Sequence, residues 1–230
     1  MKNAALKSRL FADSEGKYAE FSASLLPEGE RVIGVRLPKL RRIAAEILRG
    51  GYGGAEAFLS GCESEFFEED MLEGFVVAGF NAAAERRGRM VLAFLKKIKN
   101  WSVCDSFCAS LSDFAAVKAG GLFDFLEPLA KSGSEYVCRF AFVMLLMHRL
   151  DGAHLGRIFA AVENIGSGKR YAKLAAAWLL AEAYARFPKR TEAFLKNPKA
   201  NPEIVGLAVR KICESLKVPK SAKERLRRVF

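Results

Sequence analysis

Long apolar runs are absent from this sequence of 230 residues. The longest uninterrupted ones, residues 140–147 and 174–181, have eight residues each, well short of the roughly 20 that a membrane-spanning helix needs. The segment MKNAALKSRLFADSEGKY at the start of the chain has no apolar core that a signal peptide could use. We therefore expect a soluble protein that makes no contact with a membrane.

Cysteine is scarce and irregularly spaced. The five cysteines are an odd number, and no His or Cys pair has zinc-ligand spacing, which argues against a disulfide framework and a structural metal site. The chain also lacks a glycine-rich phosphate loop, a nucleophile elbow and a zinc-deaminase signature. The sequence thus predicts a protein of a reducing compartment, the cytoplasm, that uses neither metal nor cofactor.

Net charge is confined to the second half of the chain. Residues 1–115 hold 16 Lys and Arg against 16 Asp and Glu, whereas residues 116–230 hold 21 against 10, which accounts for the formal charge of +11. A one-sided positive charge is typical of a protein that binds a polyanion. An anionic membrane surface is the less common partner for such a charge.

Runs of β-branched residues are nearly absent too, and residues 32–35 alone resemble a strand. Apolar residues instead recur with the helical period along the whole chain. Pro38 opens one helix, which Gly50 and Gly51 should end. Further helices are expected at about 65–80, 86–99, 102–115, 119–131, 135–150, 170–187, 188–197, 202–216 and 219–229.

The predicted helices follow one another as antiparallel pairs of roughly 35–40 residues, separated by short turns such as Gly166-Ser167-Gly168. Such serial pairs favour an all-α fold, an α-solenoid, over a compact bundle. We find no polar linker, so a single domain over residues 1–230 is expected. A solenoid would offer a concave basic groove to a long charged partner such as duplex DNA.

The segment that begins at Trp101 is the most informative part of the chain. As a helix, it places Val103, Phe107 and the following Leu111 and Phe114 on one core stripe. Asp105 lies about 200° from Phe107 on the opposite side, with Trp101 one turn before it. The alternative interpretation is an N-terminal helix cap followed by a surface tryptophan.

Basic residues crowd three predicted helix starts, where the helix dipole disfavours a cation. Phosphate would satisfy both the backbone N–H groups and the basic side chains there, although each residue alone is more often a solvated charge. The residues concerned are Arg36, Lys39, Arg41 and Arg42 near Pro38, Arg139 at the start of an apolar and therefore central helix, and Lys169 and Arg170, with Lys173 one turn further on. Trp178, later in that last helix, would by default be a core aromatic.

These residues together resemble the AlkD-like family of DNA alkylation repair glycosylases. The stretch GVRLPKLR at 34–41 is similar to the family's early G-[VI]-x-x-P-x-x-R motif, and Trp101 with Asp105 matches its W-x-x-x-D element. The resemblance continues through FEED at 67–70, Arg139, Trp178 and VRKICES at 209–215. It spans about residue 17 to the end. The ordered set of Trp101, Asp105, Arg139 and Trp178 is more specific than any one motif.

The resemblance implies a fold of HEAT-like repeats and excision of positively charged N3- and N7-alkylated purines from duplex DNA. It makes Asp105 the catalytic carboxylate, places Trp101 and Trp178 beside the deoxyribose of the lesion, and gives Arg139 a part in positioning the backbone. The chain departs from the family at Arg36 and Leu37, where polar residues are common, and at Cys104. We expect a monomer. The alternatives are a non-catalytic module that binds DNA of unusual shape and a protein-interaction scaffold.

Overall fold

The computed structural model describes residues 2–50, 54–117, 121–166, 168–197 and 199–230. The predicted stop residue Gly51, the first two residues of the predicted helix 119–131, and Ser167 lie outside these ranges. The chain divides into two compact units, Met1–Lys118 and Ala119–Phe230. Each unit is built from helices, and no strand occurs among the described residues.

The first unit contains eight helices in its described part. They are α1 (Lys2–Ala12), α2 (Gly16–Leu25), α3 (Leu37–Leu48), α4 (Ala55–Gly61), α5 (Phe67–Gly79), α6 (Ala84–Leu95), α7 (Trp101–Ala109) and α8 (Ser112–Val117). Helix α5 is buried from Phe67 to Ala78 and packs against α3, α4, α6 and α7. It is therefore the centre of this unit.

The second unit contains seven helices in its described part. They are α9 (Leu122–Ala130), α10 (Glu135–His148), α11 (Leu155–Glu163), α12 (Arg170–Arg186), α13 (Pro188–Leu195), α14 (Pro202–Glu214) and α15 (Lys220–Val229). Helix α10 packs beside α12, and α12 beside α14. Helix α9 contacts both α10 and α11, and α13 contacts α12. Helices α10, α12 and α14 thus form one layer, and α9, α13 and α15 pack against it, as in serial helix pairs.

The all-α fold of packed helix pairs is confirmed, and most helix bounds agree with the sequence within three residues. The buried stripe of Val103, Phe107, Leu111 and Phe114 is also as expected. The continuous helix predicted over 102–115 is wrong. Helix α7 ends at Ala109, the Oγ of the next residue, Ser110, bonds back to the carbonyl oxygen of Ser106 at 2.9 Å, and α8 begins at Ser112.

Residues 32–35 form no strand. The backbone N–H groups of Ile33, Gly34 and Val35 donate instead to the carboxylate of Glu68, at 2.9, 2.7 and 3.1 Å. Glu68 is completely buried, so these bonds satisfy donors that water does not reach. Because Glu68 lies in the first turn of α5, it fixes the segment before α3 to the centre of the first unit.

Candidate functional site

Asn100 fixes the start of α7, the helix that carries Trp101 and Asp105. Its side-chain oxygen accepts a hydrogen bond from the backbone N–H of Val103 at 2.9 Å, as an N-cap does. Its side-chain nitrogen donates to Oε1 of Glu30 at 3.1 Å. Asn100 is fully buried. The helix start is therefore tied both to its own backbone and to the segment between α2 and α3.

Trp101, the first residue of α7, is half-buried rather than a free surface aromatic. Its indole N–H donates to the carbonyl oxygen of Leu25 at 3.1 Å, at the end of α2. The ring lines a pocket of about 120 Å³, together with residues that include Phe67 and Met71. One edge of the indole is thus held while part of it stays accessible.

Asp105 lies one helical turn after Trp101 and is half-buried. Its neighbours Cys104 and Cys108 are completely buried, so the backbone on both sides of Asp105 is anchored in the core. The predicted opposition between the core stripe and the Asp105 side of α7 agrees with this burial. A partly exposed carboxylate on an anchored helix can interact with a positive charge outside the protein.

Arg139 does not lie in the first turn of its helix, contrary to the sequence analysis. It is the fifth residue of α10, and the first turn carries Glu135, which suits the helix dipole. Arg139 is 6% exposed, and its Nη1 donates to the carbonyl oxygen of Tyr171 at 2.8 Å. The N–H of Tyr171 in turn donates to Oε1 of Glu135 at 2.6 Å. Arg139 and Glu135 together join the N-terminal part of α10 to the first turn of α12.

The basic residues at the start of α12 differ in their surroundings. Lys169 is the N-cap residue and Arg170 is exposed, and the first turn contains no acidic residue to balance them. Lys173 is 6% exposed, and its Nζ lies 2.5 Å from Oε2 of Glu203 in α14. Lys169 and Arg170 are accessible to an anion, whereas Lys173 already has a carboxylate partner.

Trp178 is half-buried near the middle of α12, between the buried residues Ala177 and Leu179. The default interpretation of Trp178 as a core aromatic is therefore only partly correct, since part of its side chain stays accessible. Trp101 and Asp105 belong to the first unit, and Arg139, Trp178 and the basic residues of α12 belong to the second. In the second unit the predicted site residues lie at the adjoining helices α10 and α12, whereas in the first unit they lie at α3 and α7, which both pack against α5.

Two of the basic residues around Pro38, Arg36 and Lys39, already pair with carboxylates of the first unit. Arg36 bonds to Glu15 through Nε at 2.8 Å, and its guanidinium lies 4.8 Å from the centre of the Tyr18 ring. Lys39 lies 3.6 Å from the carboxylate of Asp13.

The remaining two basic residues of this helix differ. Arg41 covers the Phe75 ring at 4.5 Å and donates to Ser110 Oγ at 3.1 Å, which connects α3 with the end of α7. Arg42 is exposed. Because Arg36, Lys39 and Arg41 are also structural, Arg42 is the cation of this cluster best placed to meet an anion.

Two supporting residues, Glu68 and Asn100, did not emerge as site residues from the sequence. The signal for Glu68 is the run of three acidic residues at the start of an apolar helix, where carboxylates are favoured. The signal for Asn100 is its position directly before a helix start, and the cap interpretation of this segment is correct. Among the described residues, no group of three or more potential ligands could hold a metal ion.

No helix in the described part of the chain has the length and apolarity needed to cross a bilayer. Neither a curated protein nor a solved structure gives a significant match to the chain. A family model described as "DNA alkylation repair enzyme" matches residues 6–216. This range includes α2 to α14 and every residue of the candidate site. The chain therefore belongs to the family of DNA alkylation repair enzymes.

Proposed function

We propose that this protein is a DNA glycosylase that excises positively charged N3- and N7-alkylated purines from duplex DNA. An alkylated purine of this kind already carries a positive charge, so it leaves as a neutral base and needs no general acid. One carboxylate then suffices where ordinary glycoside hydrolysis uses two. The reaction requires neither a metal nor a cofactor.

Asp105 is the proposed catalytic carboxylate. As the glycosidic bond breaks, positive charge moves onto the deoxyribose, and a fixed carboxylate stabilises that charge and orients the attacking water. The observation that carries the proposal is the anchoring of α7, where Asn100 and Trp101 fix the helix start and Cys104 and Cys108 fix its core side. Anchoring matters because a catalytic charge stabilises a transition state best when it does not have to reorganise.

The remaining site residues have supporting roles in the proposal. The indole faces of Trp101 and Trp178 contact the cationic sugar, each contributing roughly 0.5–2 kcal/mol. Arg139 positions the DNA backbone through the start of α12, to which it is bonded. The accessible cations Arg42, Lys169 and Arg170 bind phosphates, with Arg36, Lys39, Arg41 and Lys173 as further contacts if DNA displaces their present partners.

The test is the release of N7-methylguanine from a duplex by the wild type and by Asp105→Asn. Loss of a preorganised charge costs on the order of 2.7–4 kcal/mol, so the variant should be slower by about 10²–10³. The matched control is Asp113→Asn, which removes the same charge from an exposed position in the first turn of α8. It should excise at the wild-type rate.

Two results would contradict the proposal. If Asp105→Asn excised the base at the wild-type rate, Asp105 would not be the catalytic carboxylate. A wild type that binds the duplex but releases no base faster than spontaneous loss would instead favour a non-catalytic DNA-binding module. Binding of neither damaged nor undamaged DNA would favour a scaffold for an acidic protein.

A further inference from the structure

Most of the net positive charge of the chain lies in its last 45 residues. Residues 186–230 hold 13 Lys and Arg and 4 Asp and Glu, a net charge of +9 out of +11 for the whole chain. Of the cations in this range, only Arg186, at the end of α12, precedes α13. The site residues Arg139, Lys169, Arg170 and Lys173 lie before this range and account for little of the excess.

Helices α13 and α15 line the two sides of one groove in the second unit. Its volume is about 620 Å³, within the usual size of ligand sites. Cationic side chains from both sides line it, namely Lys189 and Lys196 from α13 and the residue after it, Arg225 from α15, and Lys217 from the turn before α15. Three of these cations are ion-paired, Lys196 and Arg225 with Glu192 and Lys217 with Glu182, whereas Lys189 is exposed.

Helix α15 is fixed to the protein and is not a loose basic tail. Leu226 is completely buried. The guanidinium of Arg225 donates to the hydroxyl oxygen of Tyr184 at 3.1 Å and pairs with Glu192. The Sγ of Cys213 on α14 also lies 4.0 Å from the carbonyl oxygen of Lys223. The helix backbone that carries the outer cations of α15 is thus held in place before any partner binds.

Lys220, Arg227 and Arg228 are exposed on α15 and lie within about 100° of one another around the helix axis. The exposed carboxylate of Glu224 lies on the same face of the helix, but among the described residues it forms no ion pair within 4.0 Å with any of these three cations. We call Lys220, Arg227 and Arg228 the C-terminal cationic surface. Helix α15 also lies entirely beyond residues 6–216, so the family match does not include it.

We propose that the C-terminal cationic surface binds the phosphates of duplex DNA regardless of sequence or damage. The proposal deepens the proposed function and rests on DNA as the partner. Phosphate contacts position a protein on a duplex without reading its sequence. A membrane is the poorer partner, because Leu226 is buried and leaves only Val229 and the following Phe230 as exposed large apolar side chains at this helix, too small an apolar face to insert into a bilayer.

The experiment measures the affinity for an undamaged 20-base-pair duplex between 50 and 200 mM KCl by fluorescence anisotropy. Each phosphate contact contributes about −0.9 to the slope of log K against log salt. The triple variant Lys220→Gln, Arg227→Gln and Arg228→Gln should therefore flatten the slope by up to about 2.7. Lys220→Arg with Arg227→Lys and Arg228→Lys keeps the charges and should keep the slope.

The matched control is Arg86→Gln with Arg89→Gln and Lys96→Gln, which removes three exposed charges at α6 in the first unit. An unchanged slope in the α15 variant, with a wild-type melting temperature, would overturn the proposal. Equal flattening in the α6 control would overturn it too, because net charge and not one surface would then be responsible. If the wild type bound phosphatidylserine vesicles but not the duplex, the partner of this surface would be a membrane and not DNA.

The same samples separate this proposal from the proposed function. Asp105→Asn should lose excision with an unchanged salt slope. The α15 variant, at protein concentrations that saturate the DNA, should excise at close to the wild-type rate. A flattened slope without any wild-type excision would therefore reject the glycosylase alone, whereas excision with an unchanged slope would reject the cationic surface alone.

Discussion

The Oε1 atom of Glu68 accepts the backbone N–H of Gly34 at 2.7 Å. Gly34 has a φ of +97°, and its carbonyl oxygen accepts the N–H of Glu15 at 3.0 Å. The residue therefore lies between the start of α5 and the start of α2, in contact with both. Glycine is required at this position of the family-like stretch 34–41, because the backbone is left-handed there and neighbouring atoms leave no room for a Cβ.

Gly34→Ala should lower the free energy of unfolding by about 2–4 kcal/mol, from backbone strain together with overpacking. The new Cβ would lie 2.7 Å from the carbonyl oxygen of Glu15 and 2.8 Å from the Cβ of Ala19. Urea denaturation measures the loss. Gly50→Ala is the matched control, because Gly50 has a φ of +99° but no atom near its Cβ position. It should lose only about 1–2 kcal/mol, and equal losses would contradict the close contact.

Asn100→Ala should destabilise the first unit more than an ordinary cap substitution does. Removing a cap costs about 1 kcal/mol, and leaving buried polar groups without partners adds about 1–3 kcal/mol. Asn201→Ala is the control, because Asn201 caps α14 by accepting the N–H of Glu203 at 2.9 Å but is only half-buried. If thermal melting gives the same loss for both variants, the bond from Asn100 to Glu30 contributes nothing.

Trp101→Phe should cost roughly 0.5–1.5 kcal/mol, the net worth of its hydrogen bond to the Leu25 carbonyl. Trp101→Ala should cost about 2–3 kcal/mol, less than the 3–5 kcal/mol of a fully buried aromatic. These values exceed the small cost expected for a tryptophan on a polar stripe. Chemical denaturation that finds the Phe variant as stable as wild type would show that water replaces the Leu25 contact freely.

The thiols of Cys62 and Cys138 should resist alkylation in the folded protein. Burial raises the pKa of the Cys62 thiol to about 12 and that of Cys138 to about 11. The thiolate is the reactive form, so iodoacetamide at pH 8 should modify both residues only after unfolding in urea, as mass spectrometry of the peptides will show. Rapid modification of either residue in the native protein would contradict its raised pKa.

The same shifts have a consequence for stability at high pH. The folded thiols hold their protons more tightly than the unfolded ones, whose pKa is about 9. Their contribution is therefore complete below pH 9 and is lost as the pH rises through 11 to 12. A Cys62→Ala, Cys138→Ala variant should show a weaker decline of its unfolding free energy over this window.

The sequence predicts long apolar helices better than short or polar ones. The bounds of α10 and α12 were found within two residues, because each combines a long apolar run with clear punctuation. The helices α1, α2, α4 and α11 were not assigned. For α11 the signal was present, since Leu155, Ile158 and Val162 recur at helical spacing. By contrast, α2 has one buried residue, Ser22, and so no apolar stripe to detect.

The candidate site is predictable in residue type but not in its contacts. The positions of Trp101 and Asp105 one turn apart follow from helix geometry alone. The partners of Arg36, Lys39 and Lys173 lie 21 to 30 residues away along the chain, which no local pattern encodes. The sequence shows the excess of positive charge. Only the structure shows which of these cations are ion-paired and which are accessible.

The ion pair between Lys173 and Glu203 constrains the order in which this protein can evolve. The side chain of Lys173 is 8% exposed and that of Glu203 is 58% exposed. Loss of Glu203 first would leave a buried ammonium without a partner, which costs roughly 3–5 kcal/mol, whereas loss of Lys173 first leaves a carboxylate in water. Replacement of this pair therefore costs less stability on the way when the lysine changes before the glutamate.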